Sequence, residues 1–325
     1  MATLRVGTAV ADGVGIAHGY LKVGDMPDGR TCRSRCCSAV ARRRDRRSGF
    51  TGACTATRRA APSSRTGCSA SDPRGLSGTL VALPILNITA FRARQRMSPF
   101  EGFAGGDLNR CFPGKPDGTL TEQMAHAIYT ELRAHAEYFV DLHTAMTAEV
   151  RWALFASAPG EVGHKAEGMA RAFGFTSTLP APMGILGGSA MMTAARAGIP
   201  SLIVEAGGKG PAFTAALVAE VVERLQNVMR HLGMLSGRVI EHGPLTYFSD
   251  FAWVRAVRGG LFQRSVRCGE RLKVGTVLGH YYDLWGQPTG EALSPRAGIV
   301  LAIHPGPVMA SGETLVHIGL DPREV

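Results

Sequence analysis

The chain has 325 residues, 45% of them hydrophobic, and a formal net charge of +10. That length and apolar content suit a folded protein with a large core divided between two domains, and exclude a disordered chain. No run of about 18 apolar residues is present, which argues against a transmembrane helix. Residues 1–10 lack the apolar stretch of a secretory signal, so a cytoplasmic protein is expected.

The charge is unevenly placed. Residues 32–71 hold ten Arg against one acid, Asp45, and so carry nine of the ten net positive charges; they also hold five of the seven Cys. A basic arm for nucleic acid would interleave aromatics with the Arg, and only Phe50 is there. A cysteine metal knot would show a C-x2-C pair, and none occurs. The favoured reading is a translated frameshift. If Gly49 to Arg58 are written as GGC TTC ACG GGC GCG TGC ACG GCG ACG AGG, skipping two bases gives Leu-His-Gly-Arg-Val-His-Gly-Asp-Glu, which contains H-x-x-E. Arg-rich polar sequence in place of a central strand and helix is expected to leave residues 32–71 irregular or poorly packed.

Residues 79–86, Thr-Leu-Val-Ala-Leu-Pro-Ile-Leu, read as a buried strand and residues 88–106 as a loop carrying Arg92, Arg94 and Arg96. The spacing of Met124, Ala127, Ile128 and Leu132 predicts a helix over 119–136. Strands follow at 138–142, 152–156 and 201–204, with helices at 161–173, 189–197 and 213–232. This alternation indicates an α/β fold with helices on both faces of a sheet. After about residue 240 the texture changes to short strands between Gly and Pro turns, at 253–259, 260–262, 274–278, 298–303 and 314–318. A small all-β domain, a barrel or sandwich, is expected there, giving domains 1–240 and 241–325.

Three strings carry chemistry: Asp-Leu-Asn-Arg-Cys-Phe-Pro-Gly at 107–114, Asp-Leu-His-Thr at 141–144, and Glu205-Ala-Gly after an apolar strand. Asn109 and Arg110 offer donors that clamp a carboxylate, with a simple Arg110–Asp107 ion pair as the lesser reading. His143 at a strand end is a natural metal ligand, and in other settings a satisfied core histidine. Glu205 suits a proton acceptor or an ion-pair member. Cys111 reads as a packing residue, with no His base assigned to it.

Together these strings resemble the succinylglutamate desuccinylase/aspartoacylase family of zinc carboxypeptidase-like hydrolases, over roughly residues 73–325. The resemblance implies a mixed sheet flanked by helices and zinc-dependent cleavage of an N-acyl amino acid or similar small anionic amide. It makes His143 the third zinc ligand, Glu205 the general base and Arg96 the residue that polarises the scissile carbonyl, with Arg92 and Arg94 as rivals. Asn109 and Arg110 become the pair that holds the substrate carboxylate. The family's first two zinc ligands, a His and a Glu three apart, are absent: Cys54, Thr55, Ala56, Thr57 and Arg58 stand in their place, and His18 has no Glu three residues on. The resemblance therefore implies weak or absent zinc binding and impaired activity. A non-catalytic carboxylate-binding protein is the alternative, followed by a nucleic-acid binder using the Arg-rich segment. Neither a membrane nor a nucleic-acid partner is expected from the leading reading, and oligomeric state is left open.

Overall fold

The computed structural model describes residues 3–40, 48–52, 75–101, 106–145, 149–207 and 214–325. The chain opens with β1 (Leu4–Val6), β2 (Ala9–Ala11), β3 (Gly15–Asp25), β4 (Thr31–Val40), β5 (Ser48–Gly52) and β6 (Thr79–Leu83). Helices α1 (Ile88–Ala93) and α2 (Leu120–His135) precede β7 (Tyr138–His143) and β8 (Glu149–Ser157). Then come α3 (Glu161–Phe173), β9 (Ser177–Pro182), α4 (Ala190–Arg196), β10 (Ser201–Gly207) and α5 (Ala215–His231).

These strands form one mixed sheet whose order includes β8-β10-β7-β5-β6-β4-β3. Its middle is parallel: β10 with β7, β7 with β5, and β5 with β6. Such strands are covered on both faces, and alternate residues of β6 show why they must be apolar throughout. Leu80 and Ala82 enter a core with Met169 and Phe173 of α3 and Leu225 of α5. Val81 and Leu83 enter the opposite core with Met124, Ile128 and Leu132 of α2 and Ala194 of α4. Helix α2 starts at a capping box, with Thr119 accepting from the Glu122 N–H and Glu122 from the Thr119 N–H.

The Arg-rich segment departs from expectation. Residues 31–40 form β4, paired with both β3 and β6, and residues 48–52 form β5 in the parallel middle. The reason lies in alternation rather than composition. Cys32, Ser34, Cys36 and Ser38 are buried while Arg33 and Arg35 are exposed, the period of two that a half-buried strand requires. The rest of that segment, including residues 54–58, lies outside the described residues. Residues 88–93, read as loop, are the helix α1: Asn87 caps it by accepting from the Ala90 N–H, and Ile88, Thr89 and Ala90 are buried. β9 was not anticipated from its two prolines, Pro180 and Pro182.

Beyond residue 240 lie β11 (Thr246–Tyr247), β12 (Asp250–Arg255), β13 (Gly260–Arg264), β14 (Arg271–Leu272), β15 (Val277–Tyr282), β16 (Pro288–Leu293), β17 (Gly298–Ile303), β18 (Val308–Met309), β19 (Thr314–Leu320) and β20 (Arg323–Glu324). Four of them make a separate antiparallel sheet, β16-β15-β13-β18. Others extend the main sheet, because β17 pairs with β8 and carries β19 and β12 beyond it. Among the described residues no helix is long and apolar enough to cross a membrane.

Candidate active site

The parallel register brings two of the expected residues together. Glu205 of β10 pairs directly with His143 at the end of β7, and Gly52 of β5 pairs with Asp141 on the other side. Three parallel strands therefore emerge at one edge of the sheet, where ligand sites of open α/β folds form.

His143 is held between two carboxylates. Its Nε2 is 2.9 Å from Asp141 Oδ2, and its Nδ1 is 3.8 Å from Glu205 Oε1. Asp141 is fully buried and His143 nearly so. Burial alone would depress the imidazole, but the charges of Asp141 and Glu205 outweigh it and hold His143 above its ordinary value. Glu205 is also shifted upward, chiefly by burial, with His143 and Arg96 working against that rise. Asp141 was not singled out in the sequence, yet two positions apart on a strand places it on the same face as His143.

Of the three loop arginines, Arg96 is the one whose charge acts on both His143 and Glu205. Arg92 and Arg94 are exposed. Arg96 donates through Nε and Nη2 to Asp107 Oδ2, at 3.2 and 3.0 Å. The base of the loop is closed by the Ser98 N–H donating to the Gly106 carbonyl at 2.8 Å, which delivers residues 96 and 107 side by side.

Asp107 begins a short 3-10 turn, Leu108–Arg110, and its Oδ1 accepts from the Asn109 N–H at 3.1 Å. The ion-pair partner of Asp107 is thus Arg96 and not Arg110. Arg110 is exposed and donates from Nη1 to the Asn109 carbonyl. Asn109 is buried, and its Oδ1 accepts from the Ala190 N–H at 2.9 Å, at the start of α4. That bond directs the Asn109 Nδ2 away from the helix. Gly188, at φ +77°, lets the loop before α4 close on the turn, since a Cβ there would collide with the Arg110 carbonyl.

Residues 68–232, half of the chain, match the family model of the succinylglutamate desuccinylase/aspartoacylase catalytic domain. The chain belongs to this family. By that membership it is a hydrolase of the class that acts on carbon–nitrogen (amide) bonds. It is 28% identical over 241 residues to the N-alpha-acetyl-L-2,4-diaminobutyric acid deacetylase of Halomonas elongata, covering 70% of this chain and 68% of that protein. Its fold is similar to the product-bound ectoine utilization protein EutE of Ruegeria pomeroyi, with a TM-score of 0.82, 24% identity and 98% of each chain covered. The succinylglutamate desuccinylase/aspartoacylase of Rhodobacter sphaeroides gives 0.81 at 22% identity and 97% of each chain.

The family's zinc can be tested against the donors present. Among the described residues, no three His, Cys, Asp or Glu side chains are grouped to hold a metal ion. The stretches outside the described residues contain no His and no Glu; their carboxylates are Asp45 and Asp72, and their thiols are Cys54 and Cys68. A second imidazole and the partner Glu of the H-x-x-E pair therefore have no source in those stretches.

Proposed function

We propose that this chain recognises an N-acyl amino acid in a pocket bounded by Arg96, Asn109, Arg110, His143 and Glu205, and that its family reaction, amide hydrolysis, is impaired. The observation that carries the reading is the strand register that sets Glu205 Oε1 3.8 Å from His143 Nδ1, with the charge of Arg96 acting on both. Asn109 and Arg110 orient the α-carboxylate of the ligand. Arg96 faces the acyl carbonyl and stabilises negative charge that develops on its oxygen. Glu205, held partly out of water, takes a proton from the attacking water and returns it to the leaving amine. The products are a carboxylic acid and an amino acid.

The donor set does not fit the zinc centre that the family implies. A catalytic zinc needs three protein ligands, and among the described residues no second imidazole or H-x-x-E glutamate is grouped with His143. Without such a zinc, several kcal/mol of transition-state stabilisation is missing, about a thousandfold or more in rate. The frameshift reading of residues 32–71 accounts for the deficit, and sequencing the coding DNA across residues 30–73 tests it directly.

The same deficit favours a second reading, a carboxylate-binding protein without turnover. Zinc content by mass spectrometry, together with hydrolysis of N-acetyl-L-2,4-diaminobutyrate followed by amine release, separates the two. Slow release with substoichiometric zinc supports the impaired hydrolase. Binding with no release supports the second reading. One tightly held zinc per chain would overturn the impairment, and absence of both binding and release would overturn the pocket assignment.

A further inference from the structure

Asp107 stands where two parts of the pocket meet. One carboxylate oxygen takes the Nε and Nη2 donors of Arg96, and the other takes the Asn109 N–H. The Arg96 side chain is 40% exposed and Asp107 19%, so Arg96 reaches the pocket while its anchor is covered. Without that anchor a long Arg side chain on an open loop would sample several rotamers. Asn109 is fixed at its far end by the Ala190 N–H, and the Arg110 guanidinium folds back on the Asn109 carbonyl. A single carboxylate thus sets the place of the guanidinium and of the turn that presents Asn109 and Arg110.

We infer that Asp107 is a positioning residue that presets two parts of the ligand site together: Arg96, which faces the acyl carbonyl, and the Asn109–Arg110 turn, which takes the carboxylate. The inference rests on the pocket assignment proposed above. Asp107 itself need not touch the ligand; it acts through the three residues it aligns. Two consequences follow from the geometry. Asp107 meets only the Nε and Nη2 side of Arg96, which leaves Nη1 outside that contact. Fixing the donors beforehand also removes the ordering cost that binding would otherwise carry.

The test is calorimetric, on the full chain, with N-acetyl-L-2,4-diaminobutyrate and its carboxamide as probes. The wild type should prefer the free acid by about tenfold or more, the size expected when charge-assisted hydrogen bonds are lost. D107N, which cannot hold both Arg96 and the Asn109 N–H through charged oxygens, should weaken both probes and bring their affinities close together. R96K keeps the charge but cannot make the two-nitrogen contact; it should weaken both probes, which share the acyl carbonyl, and keep the acid preference, because the Asp107 bond to the Asn109 N–H remains. The double variant should behave like D107N, with no further loss.

A purely structural Asp107 would lower the melting temperature and leave the acid-to-amide ratio unchanged. That ratio retained in D107N overturns the inference. Should D107N not fold, R96K decides: wild-type affinity for both probes there overturns it equally. A wild type that binds neither probe, or binds both alike, brings down the pocket assignment, and this inference with it.

Discussion

Glu205 Oε1 sits 3.8 Å from His143 Nδ1 because the two residues are direct partners in the parallel register of β10 and β7. The second nitrogen of the same ring lies against Asp141. Backbone pairing, which a large core stabilises, thus sets the distance between the acid and the imidazole. The charge state of His143 follows from it. Its folded-state value is raised because Asp141 and Glu205 overcome the opposing effect of burial.

Asp141→Asn should reverse that shift. With the nearer carboxylate gone, burial and Arg96 prevail, and the His143 titration followed by imidazole NMR should move to lower pH. The stability consequence has a definite sign. A raised histidine contributes stability fully below the ordinary unfolded value of about 6.5, and loses it as pH rises through the folded value. Urea midpoints of the wild type should therefore fall over that interval, and those of D141N should stay flatter. An unchanged His143 titration in D141N would refute this account.

Asn109→Ala should cost stability as well as ligand affinity. The substitution leaves the Ala190 N–H at the start of α4 without its side-chain acceptor. Loss of such a buried bond costs about 1–3 kcal/mol. Chemical denaturation should show a lower midpoint with an unchanged slope. Arg110→Ala, an exposed side chain bonded to its neighbour's carbonyl, should change stability by less than about 0.5 kcal/mol. Equal destabilisation by the two would mean that the turn is not held from α4.

Much of the α/β half was legible from the sequence because periodicity and burial agree there. Helix α3 has the bounds its pattern gives, and β7 and β10 are short apolar runs with few alternatives. β9 was missed because two prolines in six residues argue against a strand; they are tolerated near the margin of the sheet. The pattern misses α1 because Arg92 and the Arg94 that follows the helix mask three buried residues at its start. At the site, His143 and Glu205 were legible from their strand ends. The Arg96–Asp107 and Asn109–Ala190 contacts were not, since one closes a loop and the other joins residues 81 apart.

At β4 alternation outweighs composition, and an Arg-rich stretch forms a paired strand. Its inward positions are Cys32, Ser34, Cys36 and Ser38, all small, and its Arg side chains at 33 and 35 point to solvent. Cys36→Arg should therefore be strongly destabilising, by about 3 kcal/mol or more, because it buries an unpaired charge. Arg33→Ser and Arg35→Ser should stay within about 0.5 kcal/mol of the wild type. Thermal melts of the three variants provide the comparison. Tolerance of Cys36→Arg would show that this strand does not pack against α1 and β1.

The β region beyond residue 240 carries its own pH response. His317 of β19 is buried, stacks on Trp253 with ring centroids 3.8 Å apart, and meets Trp152 and Phe251 edge-on. Its Nε2 has no hydrogen-bond partner. Burial pushes its pKa down to about 4. A depressed histidine is neutral in the fold, so its stability contribution is complete above about 6.5, where both states are neutral. As pH falls from there toward 4, the unfolded chain takes up a proton and the folded one does not, at a cost of roughly 3 kcal/mol. His317→Phe keeps the ring stack and removes the titration. The variant should match or exceed the wild type at pH 7, since an unpartnered buried nitrogen is gone, and should lose less stability between pH 6.5 and 4. Parallel declines in the two proteins over that interval would assign the acid sensitivity elsewhere.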